Sequence, residues 1–303
     1  MQAPQNDRIA LITGCSAGSL GEALAFTLHE RGIRVIAAAR NAAKMEVLKA
    51  RGIECVLMDV LDNSSIEACV KEVTRKTNRH LDILINSVGG GHYMPFLDLN
   101  ISDARKLFEI NVFSYLDVTQ AFMPLLMHNK SILPGAPKGL LVNQTSISSV
   151  LRTPFHSAYS ASKAAMAMFS DTQRIELEPF GVRVIDLKTG SVESNFGPNR
   201  TNTPHIPENS LYKPIKEKVE KVIQGTVTES YAEDRMVWAN SVADDLLQDS
   251  PPQQIWRGGK AGTIYYADRT VLASGIGDGE FQKLGGLDEL KETMKERVGK
   301  ERK

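Results

Sequence analysis

The chain has 303 residues, 42% of them hydrophobic and 24% charged, with basic and acidic side chains balanced at 36 each. That length fits one large α/β unit, and the balance leaves no net field to recruit DNA, RNA or an anionic membrane. Any bound anion must therefore be held by a local site. No run of about 18 apolar residues marks a membrane span, and MQAPQNDR carries no apolar core like that of a signal peptide. Cys15, Cys55 and Cys69 show no ligand spacing, and six histidines form no HxxxH or HExxH pattern. These features predict no metal and a reducing, cytoplasmic setting.

RIALITG (8–14) is a short β-branched run ending in Gly, and a helical pattern follows it to residue 31. RVIAAAR (34–40) predicts a second strand, then a charged helix carrying Met45 and Leu48 on one side. IECVLMDV (53–60) is a third strand, followed by an amphipathic helix with apolar positions 66, 70 and 73. LDILINS (81–87) and GLLVNQTS (139–146) are strands four and five, separated by a long helix over 102–128 and a Pro/Gly-rich insertion, NKSILPGAPKG (129–139). A helix over 157–179 leads to strand six, GVRVIDLKTG (181–190). Strands apolar on both faces that alternate with helices predict a parallel sheet covered on both sides.

The regularity ends at residue 190. Residues 191–230 are rich in Pro, Asn, Thr and Ser around a basic amphipathic segment, IKEKVEKVI, as in loops that cover a binding site. A helix over 232–248, a short strand QQIWR (253–257) and two helical patterns complete the chain. The last of these, GLDELKETMKERVGKERK, is mostly charged and predicts a solvated surface helix or frayed tail. The whole reads as one domain, 1–303, with a core over 8–190, a loop and helix over 191–250, and an extension over 251–303.

TGCSAGSLG (13–21) joins strand one to helix one, where glycines permit a tight turn and bring backbone N–H groups to a pyrophosphate. Its spacing is GxxxGxxG, through Gly14, Gly18 and Gly21. Strand two ends in Ala38, Ala39 and Arg40, with Lys44 a turn later, where NAD sites place an acid. A guanidinium there binds a 2′-phosphate, so NADP(H) is the expected cofactor; the plainer reading of Arg40 is the start of a surface helix. Asp59 at the end of strand three could accept from an adenine amino group, and Asn86 and Gly89 after strand four could line the other side. Each is equally a cap or turn residue.

Tyr159 and Lys163 stand one helical turn apart on an otherwise small and apolar helix, AYSASKAAMAMF. An ammonium beside a phenol favours the phenolate and draws its pKa down from about 10. Such a tyrosine can exchange the proton of a carbonyl/alcohol pair. Ser146, ending strand five, could orient the substrate oxygen, although Thr145, Ser148 and Ser149 beside it also suit a plain turn. Asn111, unfavourable within a helix, either distorts it and holds a water for Lys163 or is a core amide satisfied by a neighbouring carbonyl.

Together TGCSAGSLG, INSVG, Asn111, Ser146, Tyr159-x-x-x-Lys163 and TGSVESNF resemble the short-chain dehydrogenase/reductase family over residues 8–195. The resemblance implies a single-domain Rossmann fold, a doubly wound seven-stranded parallel sheet, with Asn111, Ser146, Tyr159 and Lys163 as catalytic tetrad. It implies a cofactor site formed by Gly14, Ser16, Gly18, Leu20, Gly21, Arg40, Lys44, Asp59, Val60, Asn86, Gly89, Tyr159 and Lys163, with Val192 and Ser194 at the nicotinamide carboxamide. It also implies a homodimer or homotetramer through the helices at 102–128 and 157–179. Three departures stand out: an extra residue in the glycine turn, Ser87-Val88 within the usual NNAG, and Thr189 in place of Pro before Gly190.

The glycine turn, TGSVESNFG and IWRGGKAG further resemble a narrower group, the NADPH-dependent 1-acyl-dihydroxyacetone-phosphate reductases and ketoreductases of secondary metabolism. The expected pocket lining, Leu151, Phe155, His156, Phe196, Tyr212 and Trp256, is apolar and aromatic, with Arg152, Arg200 and Lys213 the nearby cations. His156 either touches substrate or is an ordinary loop histidine. The lining favours a hydrophobic ketone or aromatic polyketide over a lipid phosphate; a lipid substrate would instead bring attachment to a membrane or lipid droplet. Because cellular NADPH is kept reduced, carbonyl to alcohol is the expected direction. An intact tetrad argues against a non-catalytic scaffold or sensor. The short region after strand six argues against an epimerase or dehydratase.

Overall fold

A computed structural model describes residues 8–128, 139–197, 205–225, 229–270 and 278–301. The expectations for the N-terminal MQAPQND, most of the 129–139 insertion and Arg200 lie outside these residues. Among the described residues, seven strands form one sheet: β1 (Ile9–Thr13), β2 (Arg34–Ala39), β3 (Glu54–Leu57), β4 (Ile83–Asn86), β5 (Gly139–Gln144), β6 (Val182–Thr189) and β7 (Gln254–Arg257). Their order is β3-β2-β1-β4-β5-β6-β7, and every pair is parallel. The order reverses between β1 and β4, where a doubly wound sheet opens a crevice at its carboxyl edge.

Both faces of the sheet are apolar because both are covered. On one, α1 (Leu20–Glu30) and, later in the chain, the helix over Arg235–Leu246 pack on Ala10, Ile12, Ile85, Val142 and Ile185, with Trp238 fully buried among them. On the other, the helices Asn63–Lys76 and Ser114–Met127 cover Leu11, Ile36, Leu84, Leu141 and Val184. Numbered in chain order after α1, these are α2 (Glu46–Ala50), α3 (Asn63–Lys76), α4 (Ile101–Phe108), α5 (Ser114–Met127), α6 (Ser157–Leu177), α7 (Lys216–Gln224), α8 (Arg235–Leu246), α9 (Ala261–Thr270), α10 (Asp278–Leu284) and α11 (Leu287–Glu301). Helix α6 lies along β6, opposite α8.

Three features differ from the expectation. The helix over 102–128 divides into α4 and α5 around a π-helical turn, Glu109–Phe113, because Asn111 there turns its amide to other partners. Among the described residues three helices, not two, follow β7. The last of them is not wholly solvated: Leu287 and Leu290 pack on an apolar cluster with Ile215 and Val219, and Lys218 pairs with Glu289. Cys15 and Cys69 are buried thiols whose ionisation is suppressed by burial, so they fill core space. No described helix is long and apolar enough to cross a membrane.

Candidate active site

The glycine turn is held against the end of β2 by its backbone. Cys15 N donates to Ala38 O at 3.0 Å and Ala17 N to Lys44 O at 2.8 Å, which brings half-buried Ser16 beside the exposed Arg40 and Lys44. Gly14 and Gly18 adopt φ of 76° and 78°, a region open to glycine. A Cβ on Gly21 would meet the carbonyl oxygens of Gly14 and Thr13 at 2.8 and 2.9 Å, so only glycine lets α1 start this close to β1. This cradle fits a pyrophosphate at a helix N-terminus, and the exposed cations beside it fit a 2′-phosphate.

Two partners of the turn were not foreseen. Buried Glu22 accepts the Gly18 N–H at 2.7 Å, with the Arg235 guanidinium 3.5 Å away, while Ser19 Oγ accepts the Glu22 N–H. The signal was present as the capping box Ser19-x-x-Glu22. From the far side, Asn195 reaches across the cleft: its side-chain amide donates to Ala17 O at 2.8 Å and its backbone N–H to Gly18 O at 3.0 Å.

The other expected cofactor residues divide. Asp59 is half-buried and accepts the Leu61 N–H, Val60 is buried, Leu20 packs at the start of α1, and Gly89 faces Lys163 and Asn111. Val192 bridges to Glu233, and Ser194 Oγ accepts the Phe196 N–H. Asn86 is a correction. Its amide donates to Thr119 Oγ1 and Asn143 Oδ1, both at 3.0 Å, inside the sheet and not toward the cleft, because a buried amide must be satisfied where it lies.

Of the expected tetrad, Asn111 and Lys163 meet at the Gly89–Gly90 loop after β4, and Ser146 follows β5. Lys163 is buried and donates to Gln144 O at 3.0 Å, over the Tyr115 ring, whose hydroxyl donates to the same carbonyl. Burial pulls its pKa down to about 8, against the field of Asp186, which raises it. Asn111 is fully satisfied: Oδ1 accepts the Gly90 N–H at 2.8 Å, and Nδ2 donates to Gly90 O and Ser162 Oγ at 3.0 Å. It thereby ties the loop after β4 to α6 at Ser162, the residue before Lys163. Ser146 follows β5 and caps the turn Ile147–Ser149, its Oγ accepting the Ser148 N–H at 3.1 Å.

Tyr159 sits in an aromatic group. Tyr93 meets it edge-on at 5.3 Å and stacks on His156 at 4.2 Å, and the Phe196 ring lies 6.1 Å away. Phe155 and Tyr212 meet edge-on at 5.8 Å in the same cluster, walled by Ile206, Ile215 and Val219. Phe155 adopts φ of 67°, strained for a bulky residue and held by the Met94 N–H on its carbonyl. Of the other expected lining residues, half-buried Leu151 falls outside this cluster. Trp256 is a correction: it lies on β7 against Tyr265 and Lys188, outside this cluster. Lys213 is paired with Glu208 at 3.0 Å. Tyr93 was missed, since nothing in its neighbourhood marks it before folding.

The segment after β6 is fixed at its start. Ser191 exchanges backbone bonds with Gly259, and a Cβ on Gly190 would meet Gly259 O at 2.4 Å.

The arrangement has relatives. The short chain dehydrogenase family model matches residues 8–204. A short-chain dehydrogenase/reductase of Pestalotiopsis microspora is 39% identical over 290 residues, 95% of this chain and 97% of that protein. An NADPH-dependent 1-acyldihydroxyacetone phosphate reductase of Schizosaccharomyces pombe is 37% identical over 216 residues, 70% of each chain. The crystal structure of a short-chain dehydrogenase from Streptomyces avermitilis superposes with a TM-score of 0.74 at 26% identity, covering 92% of this chain and 97% of that one. The chain belongs to the short-chain dehydrogenase/reductase family.

Proposed function

We propose that the chain is an NADPH-dependent reductase that transfers hydride to a ketone of a hydrophobic or polyketide-like small molecule, with Tyr159 as general acid. The observation that carries this reading is the position of Tyr159. Its ring lies between an apolar aromatic cluster and a helix face that holds a buried ammonium one turn away. The cofactor is NADP(H), supported by the glycine cradle and by Arg40 and Lys44 beside it. When bound it supplies the hydride.

The chain's own residues do the rest. Ser146 donates its hydroxyl to the carbonyl oxygen and holds it toward Tyr159. The phenol passes its proton to that oxygen as charge develops there. Lys163 stabilises the resulting phenolate, and Gln144 O and Tyr115 fix the lysine in place. Asn111 keeps the Gly90 loop and α6 in register, so Lys163 cannot drift. Tyr93, Phe155, Phe196, Tyr212 and Ile206 exclude water and favour an apolar substrate. Ile206, Tyr212, Ile215 and Val219 form the substrate side of the single domain, and Leu287 and Leu290 brace it.

A lipid-phosphate ketone is the second reading, favoured by the relative in Schizosaccharomyces pombe. Against it, Lys213 is already paired with Glu208 beside the cluster. Exposed Phe113, Met168, Phe169 and Ile175, in the π-helical turn before α5 and along α6, support a homodimer or homotetramer, which sedimentation velocity checks. The deciding experiment follows NADPH oxidation against apolar aromatic ketones, quinones and acyl-dihydroxyacetone phosphates. Preference for the apolar ketones is expected. A preference for the phosphate esters establishes the second reading, and binding of NADPH without turnover of any of them establishes a scaffold.

A further inference from the structure

Two buried charges have no part in the chemistry just described. Asp186 and Lys188 are two residues apart on β6, so both face the α6 side of the sheet, and they are 1% and 4% exposed. Lys188 Nζ lies 2.6 Å from Asp186 Oδ2. A buried ion pair is a poor way to stabilise a core, because dehydrating both ions offsets their attraction and apolar residues would serve as well. Its remaining bonds point elsewhere. The other Asp186 oxygen accepts from Thr145 Oγ1, and Lys188 Nζ donates to Ser149 Oγ at 3.2 Å. Thr145 immediately precedes Ser146, and Ser149 closes the short turn Ile147–Ser149 that follows it. A further bond, Thr145 N to Leu187 O at 2.9 Å, fastens the same point to β6. One ion pair thus grips both flanks of the serine.

The same carboxylate lies one peptide from the Lys163 contact: the Gln144 carbonyl that accepts the ammonium at 3.0 Å leads directly into Thr145, whose hydroxyl donates to Asp186, and the Asp186 charge favours the protonated lysine. The groups that face this ammonium are Tyr159 on its own helix, the Tyr115 ring at 5.5 Å from α5, the Gln144 carbonyl from β5, and Asp186 from β6 with Lys188 beyond it. Among the described residues, Asp186 is the carboxylate whose field reaches Lys163.

We propose that the Asp186–Lys188 pair is a positioning unit for this site: together the two hold the Thr145–Ser149 turn that aims Ser146, and Asp186 supplies the countercharge for the Lys163 ammonium. The inference rests on the reductase reading and adds what keeps two of its residues in place and charged.

The test compares Asp186→Asn, Lys188→Met and the double variant, reading kcat and NADPH affinity across pH. Asp186→Asn removes the countercharge and leaves a second ammonium nearby, so Lys163 loses its proton more readily. The alkaline limb should move down by about one pH unit, and kcat at neutral pH should fall about tenfold. Lys188→Met leaves the carboxylate facing Lys163, so that limb should hold or move up while kcat falls through the released Ser149. A limb lowered by Asp186→Asn and not by Lys188→Met is what a merely structural pair would not produce.

A single variant that strands a buried charge can fail to fold, and the double variant, which strands none, then carries the comparison. Its kcat should fall about tenfold, with an alkaline limb below that of the parent. Thr145→Val should lower kcat with the limb unmoved, and Thr145→Ser should restore it. Limbs that move together in both single variants, or a double variant with parental kcat and limb, overturn the proposal. The limb is also read from NADPH affinity by fluorescence, which needs no ketone. Failure of the reductase reading would instead show as a parent protein that turns over no carbonyl.

Discussion

The two ends of the cleft are built from different materials. The glycine-turn end is made of backbone: Cys15 N on Ala38 O, Ala17 N on Lys44 O and Asn195 N on Gly18 O set its shape. The end proposed for the substrate is made of side chains drawn from distant segments, among them Tyr93, Phe155, Phe196, Ile206, Tyr212 and Leu290. A backbone-built site tolerates little change yet binds one conserved chemical shape. A side-chain-built site can be refitted one residue at a time. That division explains how a family can keep its cofactor and vary its substrate.

The sharpest test of the comparison acts where the two ends meet. Tyr159→Phe should lower kcat by about 10²–10⁴-fold while NADPH affinity, measured by fluorescence titration, stays close to the parent's, because only the transferable proton is lost. Next in size, Arg40→Ala should weaken NADPH by about 10–100-fold, the worth of charged hydrogen bonds to a phosphate. NADH affinity should be little changed, and equal losses for both would remove Arg40 from the 2′-phosphate.

The pH profile follows from Lys163. Burial has lowered its pKa to about 8, so the ammonium is present at neutral pH and is lost as pH rises through that value. The rate should therefore fall on an alkaline limb near there, and a plateau extending well above it would show that the charge is not required. At the substrate end, Tyr212→Ala should raise KM for a bulky apolar ketone about tenfold and leave NADPH affinity alone, as expected for loss of apolar contact. The smallest effect is expected at the surface. Lys218→Ala breaks the exposed pair with Glu289 and should cost less than about 1 kcal/mol in denaturant unfolding.

Much of this was legible in the sequence, and the reason is periodicity. Strand and helix alternate regularly from residue 8 to 190, and every strand of that region lies within a few residues of its expected place. The short-range pair Tyr159–Lys163 was equally readable, because helical geometry alone sets it. The glycine turn was readable as a cradle, but its clasp by Asn195 was not, since those residues are 178 positions apart. Two departures from the family pattern became intelligible only in three dimensions. Ser87 Oγ donates to Gln144 Oε1 at 2.5 Å and Gln144 Nε2 donates to Thr189 Oγ1 at 3.2 Å. The serine within the NNAG-like motif and the threonine in place of Pro therefore serve one glutamine side chain, on the residue whose carbonyl holds Lys163.

Periodicity failed where polar side chains answer to tertiary partners. Asn86 belongs to the sheet interior, and Asn111 splits a helix that hydrophobic spacing reads as continuous. Residues 205–225 join the core through Ile206, Ile215, Val219 and Ile223, whose companions are supplied by other segments.

The tight seam between Gly190–Ser191 and Gly259 has a consequence for anyone recombining these proteins. Because the strand-six exit and the post-β7 turn touch through bare backbone, they behave as two halves of a hinge pin cut to match. A chimera that imports a foreign recognition loop must therefore import or preserve both halves. A crossover placed between them would splay the loop even if every imported side chain suited its new ligand.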